Sequence, residues 1–377
     1  MAWNTPIPGS YQRLKRKHYR QAGTPCHSTY ARFLDKFKRR ETGMQKLLRK
    51  CGAIVTLLCA ASYAPVSAAA MKVTLLGTGT PILNIERFGI SVLVEAGDQK
   101  LLFDAGRGVA MRLHQQQVPL RDISAVFISL LNSDHITGLP DLYATAPLPT
   151  DDGRLKTPML WFGPDGIDNV ARGIELMFKD QNRMRMLEGE VVEPATHITA
   201  KRVEPGTVYE KDGVKVSAFL IEHGHVKPDF GYRIEYEGHA VIITDDTTYS
   251  ENLVAHSKQA DLMVQSVAIG SRALERAAPD YVNHFYGYLA SPENAGRILS
   301  ETQPKLAVFA HISLYSRPGI ARATVDELRE RVQAAYSGHF VIGEDLMRFT
   351  IDEHGVTQLP YSPEVRHQEP GSRSSRG

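Results

Sequence analysis

Histidines and aspartates stand in four short segments of this chain, each beside an apolar or glycine-rich run. Asp134 and His135 close Phe127-Ile128-Ser129-Leu130-Leu131-Asn132-Ser133-Asp134-His135, and His223 and His225 lie in Glu222-His223-Gly224-His225. Asp245 and Asp246 lie in Thr244-Asp245-Asp246-Thr247, and His311 follows Val308-Phe309-Ala310. Imidazole nitrogens and carboxylate oxygens are the side-chain atoms that hold Zn²⁺, Mn²⁺ or Fe²⁺, and such an ion with an open position activates water for hydrolysis. A lone histidine at a strand end is more often solvated or satisfied structurally, so the chemistry depends on the elements that bring these segments together.

Those elements are legible as an alternation of β-branched runs and amphipathic helices from about residue 71 to residue 358, with no turn cluster long enough to be a linker. Residues 72–76, 90–95 and 100–104 read as strands, the last two joined by Ala96-Gly97-Asp98-Gln99 as a hairpin. A helix is predicted over 108–118 with Val109, Leu113 and Met111 turned inward, then an apolar strand over 124–130 that delivers Asp134 and His135. A second helix spans 166–178, and hairpins fold about Lys211-Asp212-Gly213 and Glu237-Gly238. Ser291-Pro292-Glu293 opens a helix with serine as N-cap and proline at the first helical position. A strand over 305–310, a helix over 324–336 and a strand from 339 complete one domain, 71–360.

The ordered motifs resemble the metallo-β-lactamase superfamily, in its ribonuclease Z and arylsulfatase-like branch. Leu75-Leu76-Gly77-Thr78-Gly79-Thr80-Pro81 resembles the opening strand and glycine turn of that branch, and Leu102-Phe103-Asp104-Ala105-Gly106-Arg107-Gly108 its second landmark. The segment ending at His135 resembles the family's His-x-His-x-Asp-His loop, with Leu130 and Asn132 in the two leading histidine positions; Ile136-Thr137-Gly138-Leu139-Pro140-Asp141-Leu142 continues the register. The resemblance implies an α/β fold, a four-layer αβ/βα sandwich, and a hydrolase whose metal site two is Asp134, His135, Asp246 and His311. Site one keeps only His223 and a share of Asp246, because leucine cannot coordinate and a neutral amide rarely holds zinc.

The same resemblance implies one divalent metal, zinc first, with manganese or iron as alternatives, and water as nucleophile. Asp134 is then the base or water orienter, and His223 an oxyanion contact. Asp245 stands where the family carries glycine, either as an extra oxygen ligand favouring a harder ion or turned to solvent. Leu289 replaces a histidine that is a candidate proton donor, Gln265-Ser266 replaces a His-Glu pair, and His225 and His284 read as surface residues. Asp134 facing Asp246 in a partly desolvated pocket demands a counter-charge, either a metal or a protonated His135 or His311. Two readings follow: a mono-metal hydrolase of phospho- or sulfoesters, and a catalytically impaired relative whose cleft binds a small anion or a partner.

Charge and termini narrow the partners. The formal charge of +2 conceals an uneven distribution, since residues 1–68 carry 13 Lys+Arg against 2 Asp+Glu and the remainder carries 31 against 40. An acidic folded part disfavours polyanions, so nucleic acid is not the expected partner and a small anionic molecule is. From Met44, Lys46, Arg49 and Lys50 precede an apolar run, 52–61, and small residues ending at Ala70, the pattern of a cleaved export signal with a periplasmic or secreted product. That run is shorter than the roughly 20 residues a bilayer span requires, so no stable membrane span is expected after cleavage. Cys26, Cys51 and Cys59 all precede the cleavage point, leaving no thiolate ligand. Residues 1–43 read as a basic extension upstream of the true start, and 361–377 as a disordered tail.

Overall fold

The computed structural model describes residues 70–369. The basic extension, the signal segment up to residue 69, all three cysteines and the end of the tail lie outside the described residues.

The chain first lays down strands β1 (Met71–Gly77), β2 (Ser91–Ala96), β3 (Gln99–Phe103), β4 (Ala125–Phe127), β5 (Met159–Gly163) and β6 (Ile198–Arg202). It then builds a second sheet from β7 (Gly206–Lys211), β8 (Val214–Leu220), β9 (Phe230–Tyr236), β10 (His239–Ile243), β11 (Leu262–Gly270), β12 (Leu306–Tyr315) and β13 (Phe340–Ile342). The closing strands β14 (Arg348–Asp352) and β15 (Gly355–Gln358) return to the first sheet, so the orders are β15-β14-β1-β2-β3-β4-β5-β6 and β13-β12-β11-β10-β9-β8-β7.

Side chains alternate across each strand, and here both faces are buried. Val92 and Val94 of β2, Leu101 and Phe103 of β3 and Phe127 of β4 meet Val216, Ile234, Val241, Val264 and Val308 of the second sheet in one inter-sheet core. Leu93, Leu102 and Val126 turn to the outer face, where Val109, Leu113, Leu142, Ile167 and Ile174 cover them. These residues come from helices α1 (Val109–Gln115), α3 (Leu139–Thr145) and α4 (Ile167–Met177), with the short α2 (Ser133–Ile136) between the first two and α5 (Lys179–Leu187) following. The second sheet is covered likewise through Leu253 of α6 (Glu251–Ser257), Ile298 and Leu299 of α9 (Pro292–Thr302), and Leu328 and Val332 of α10 (Val325–Gln333). Between them run α7 (Arg272–Ala277) and α8 (Pro279–Tyr286). Helix, sheet, sheet, helix is the four-layer arrangement expected.

Local chemistry sets the boundaries. Ser291 Oγ accepts from Asn294 N at 3.2 Å and Thr324 Oγ1 from Glu327 N at 3.1 Å, closing α9 and α10 at their N-termini. Asp212 and Gly213 both have positive φ (51° and 81°), as do Glu237 and Gly238 (49° and 83°), the backbone a two-residue hairpin turn requires.

Four expectations are corrected. Met111 is 53% exposed and Arg112 takes the inward position, because the buried Asp345 carboxylate receives its guanidinium at 3.0 Å. The strand over 124–130 stops at Phe127, since Ser129 N turns away to Asp104 Oδ1 at 3.0 Å. The strand predicted over 305–310 runs on to Tyr315. Residues 361–369, assigned to the tail, are pinned: Tyr361 Oη donates to Glu344 Oε2 at 3.0 Å and Arg112 Nη1 to the Arg366 carbonyl at 2.9 Å. Among the described residues no helix is long and apolar enough to cross a membrane.

Candidate metal centre

The four segments meet at one end of the two sheets. Asp134 and His135 arrive on α2 just past β4, under a stack in which Phe127 lies 4.9 Å from both Phe103 and Phe162. Tyr232 packs edge-on against Phe127 and its hydroxyl donates to the Ile128 carbonyl at 2.8 Å, fixing the strand exit that carries the loop. Asp245 and Asp246 follow β10, and His311 sits within β12 at a bulge where the register against β11 shifts between Gln265 and Val267. A bulge re-aims a side chain, and His311 takes φ 50° there. Asp104 and Asp245 have φ of 54° and 53°, so three non-glycine residues of the site hold left-handed backbone, a state that clusters at functional sites. The glycine that the motif resemblance implies at 245 would meet this same requirement; here an aspartate adopts it.

His311 Nε2 donates to Asp134 Oδ2 at 2.9 Å, and His311 Nδ1 lies 2.7 Å from Asp246 Oδ1. His135 Nε2 points into the same space, 3.6 Å from Asp134 Oδ2 and 3.7 Å from Asp246 Oδ2. Asp134, His135, Asp246 and His311 are all buried. His223 stands at the margin, its Nε2 3.9 Å from Asp246 Oδ2. Its Nδ1–H donates to the Tyr288 carbonyl at 3.0 Å, which turns the Nε2 lone pair toward the cleft.

These residues fit a divalent cation. Both nitrogens of His135, Nδ1 of His311 and Oδ1 of Asp246 are buried without a hydrogen-bond partner, although His311 Nδ1 and Asp246 Oδ1 are close; their approach is out of hydrogen-bond alignment. Ligand atoms of Asp134, His135 and His311 all lie within 4.8 Å of one another. Two imidazoles and two carboxylates suit Zn²⁺, Mn²⁺ or Fe²⁺.

Electrostatics point the same way. Burial lowers the His311 imidazole's affinity for a proton, but the Asp246 carboxylate and the Asp134 hydrogen bond overcome it and push the pKa up to about 10. Burial opposes charge on His135 too, and Asp245 and Asp104 raise its pKa well above the ordinary value. Burial raises Asp134 and Asp246, but the histidines outweigh it and hold both below the usual carboxylate range. The pocket therefore selects positive charge.

The remaining expected positions divide. Leu130 is fully buried and Asn132 exposed, so neither extends the ligand set; His225 and His284 are exposed. Leu289 is buried and offers no proton. Asp245 is not turned to solvent: it is 5% exposed, and its Oδ2 lies 3.3 Å from His135 Nδ1, on the opposite side of the ring from Asp134 and Asp246. Asp104 Oδ2 is also 3.3 Å from Nδ1, and the Ser129 hydroxyl sits between the two carboxylates, within hydrogen-bond reach of both. Gln265 and Ser266 are buried, with Ser266 Oγ donating to the Asp245 carbonyl at 2.5 Å.

Sequence reading missed Ser129, Asp229 and Asp345. Ser129 lies inside the recognised loop and Asp229 beside the cis peptide Lys227-Pro228, but nothing local marks either as part of the site. Asp345 accepts from Thr78 N and Thr78 Oγ1 at 2.9 and 2.8 Å, and the Thr78 carbonyl accepts from His311 N at 3.1 Å, so it supports the bulge from behind.

A family model described as Anti-Pycsar protein Apyc1 matches residues 71–274, more than half of the chain. The ribonuclease Z of Mycobacterium sp. (strain KMS) is 29% identical over 281 residues, covering 74% of this chain and 96% of that protein. Among solved structures, the metallo-β-lactamase fold protein YhfI from Bacillus subtilis superposes with TM-score 0.57 at 19% identity, over 74% of this chain and 98% of its own. Zn²⁺-bound PqqB from Methylobacterium extorquens superposes with TM-score 0.51 at 17% identity, over 74% and 99%. Two packed mixed sheets, a convergent imidazole and carboxylate pocket, and these matches place the chain in the metallo-β-lactamase superfamily of metallohydrolases, on its ribonuclease Z branch, as a member of the Anti-Pycsar protein Apyc1 family.

Proposed function

We propose that this chain is an exported hydrolase that uses one divalent cation, zinc first, to cleave a phosphoester-type bond in a small anionic molecule. The observation that carries the reading is the convergence of Asp134, His135, Asp246 and His311 in a buried pocket, where both nitrogens of His135, Nδ1 of His311 and Oδ1 of Asp246 have no hydrogen-bond partner. A ribonuclease acts on phosphodiesters, and the name of that relative favours a phosphoester over a sulfoester. The surplus of acidic residues beyond residue 68 speaks against a long polyanion and for a small substrate. Export rests on the apolar run at 52–61 and the basic residues before it.

The four side chains named would hold the ion, with His223 facing it across Asp246. A bound divalent ion polarises the ester and makes water acidic enough to act as a nucleophile near neutral pH. Asp134 uses Oδ2 to hold His311, leaving Oδ1 to orient the attacking water and take its proton. His223, aimed by the Tyr288 carbonyl, turns Nε2 into the cleft, where it is placed to contact the developing oxyanion. Leu289, where the resemblance expects a histidine, has no proton to give the leaving group.

The competing reading is a binding protein without turnover. It is favoured by Leu130, buried where the family places a histidine, and by the mutual pairing of His311 and Asp134. Metal content of the purified protein and hydrolysis of an activated phosphodiester separate the two. Stoichiometric metal with turnover that disappears in Asp134→Ala supports the hydrolase. Stoichiometric metal with no turnover on any activated phosphodiester overturns it.

A further inference from the structure

A cavity of about 110 Å³ lies between the connection from β1 to β2 and strand β12. One water takes roughly 10–15 Å³ of such space, so a phosphate-sized group fits. Two guanidinium groups line it, Arg87 from the connection and Arg322 from the chain just before α10, and no aspartate or glutamate does. Ile312 and Leu314 of β12 supply apolar wall, and Ile312 follows His311 directly in that strand.

The polar lining consists of donors. Both Arg87 hydrogen bonds leave from Nη1 and end on neutral oxygens, Thr78 Oγ1 at 2.7 Å and the Gly343 carbonyl at 2.8 Å. Arg322 Nε likewise ends on the Leu314 carbonyl at 3.2 Å. Among the described residues neither guanidinium meets a carboxylate at salt-bridge distance. Thr80 Oγ1 and Asn84 Oδ1 accept from the backbone N–H groups of Ile82 and Glu86, at 3.4 and 2.9 Å, which leaves the Thr80 hydroxyl proton and the Asn84 amide free to donate.

Charge and burial sharpen the point. Beyond residue 68 the chain carries 31 Lys+Arg against 40 Asp+Glu, so an acid-free cavity with two guanidinium groups is a local reversal of the prevailing charge. Arg87 is half-buried, and burial lowers its pKa more than Asp345 and Glu344 raise it. A half-buried cation held by neutral oxygens gains from an anion placed against it, through charge-assisted hydrogen bonds.

We propose that this cavity is an anion site, in which Arg87, Arg322, Thr80 and Asn84 hold an oxyanion of the phosphate or carboxylate kind. The guanidinium fork matches either group. The occupant is free inorganic phosphate or, on the hydrolytic reading, a second anionic group of the molecule whose ester reaches the metal centre. Both sources share one recognition chemistry.

The binding test uses the full chain in chelator, titrated with inorganic phosphate by calorimetry. One phosphate per chain is expected, with Kd of about 1 mM or tighter. Arg322→Glu reverses the charge of an exposed side chain and should weaken phosphate roughly tenfold or more without moving the melting temperature. Arg87→Lys keeps the charge, loses the planar fork and should weaken it severalfold. Arg183→Glu on α5, exposed and outside the cavity, makes the same change in net charge and should leave binding as it is. On the metal-loaded chain, two activated phosphodiesters, one of them carrying an added carboxylate, distinguish the sources. A rise in KM with Arg322→Glu for the carboxylate-bearing ester alone assigns the cavity to the substrate; KM values that move alike, with phosphate binding lost, assign it to free phosphate. No saturable phosphate binding in chelator overturns the proposal. Binding that Arg322→Glu and Arg87→Lys both leave unchanged overturns it too, as does a loss that Arg183→Glu reproduces. The titration runs without metal, so a centre that fails to hydrolyse leaves it standing, and a failed titration leaves the hydrolytic reading standing.

Discussion

Chelating the protein and raising the pH should destabilise it, and His311 sets the size of the effect. Its imidazole moves from an ordinary 6.5 to about 10 in the folded chain, because Asp246 and Asp134 favour the charged ring more than burial disfavours it. At roughly 1.4 kcal/mol per tenfold change, that preference amounts to about 5 kcal/mol. A raised histidine contributes its stability in full below the unfolded pKa and loses it as pH climbs through the folded one. In chelator, the unfolding free energy should therefore fall by about 5 kcal/mol between pH 6.5 and pH 10, a large share of the roughly 5–15 kcal/mol a domain possesses. His135, raised in the same direction, adds to the fall. Asp134 and Asp246 are held low, so their contribution is present above the unfolded carboxylate pKa and is lost only in acid. Urea denaturation at a series of pH values reads this directly. Asp246→Asn removes the strongest partner of His311 and should flatten the slope. With a divalent ion in place of the proton the slope should vanish, and ion affinity should rise about tenfold per pH unit below pH 10. A chelated wild-type profile that is level across this window, or one that Asp246→Asn leaves unchanged, would refute the reasoning.

Asp134→Ala should lower turnover of an activated phosphodiester by about a hundredfold or more, since it removes the proposed base and the oxygen that positions His311; steady-state kinetics with metal analysis checks this. Restoring Leu130→His together with Asn132→His should raise zinc stoichiometry by elemental analysis, and no gain would count against the register of the motif loop. Asp345→Ala strips acceptors from Thr78 N, Thr78 Oγ1, Phe88 N and the buried Arg112, at distances of 2.7 to 3.0 Å. It should cost about 3 kcal/mol in urea denaturation and loosen metal binding through the Thr78 contact to His311; a loss under about 1 kcal/mol would sink that account.

Local signals in the sequence marked the elements, and the resemblance of the ordered motifs implied their four layers. Period-two alternation, the Asp-Gly and Glu-Gly turns and the Ser291 and Thr324 caps are local signals, and each reappears as a strand, turn or helix start within a few residues. The resemblance of their segments to the family's motifs singled out His135, Asp246 and His311, since a strand-end histidine by itself carries no such mark. The sides of the centre were decided only by tertiary packing. Asp245 and Asp246 are neighbours in the chain, yet the left-handed turn at 245 sends one carboxylate to Nδ1 of His135 and the other to Nε2. Asp229 and Asp345 carry no mark in their own segments. Their importance comes from burial and distant contacts: Asp229 is buried with neither carboxylate oxygen hydrogen-bonded, and Asp345 reaches His311 through Thr78, 267 residues away in sequence. Hydrogen-bond periodicity acts between near neighbours and can be read along a chain, whereas desolvation and charge depend on which distant atoms exclude water together.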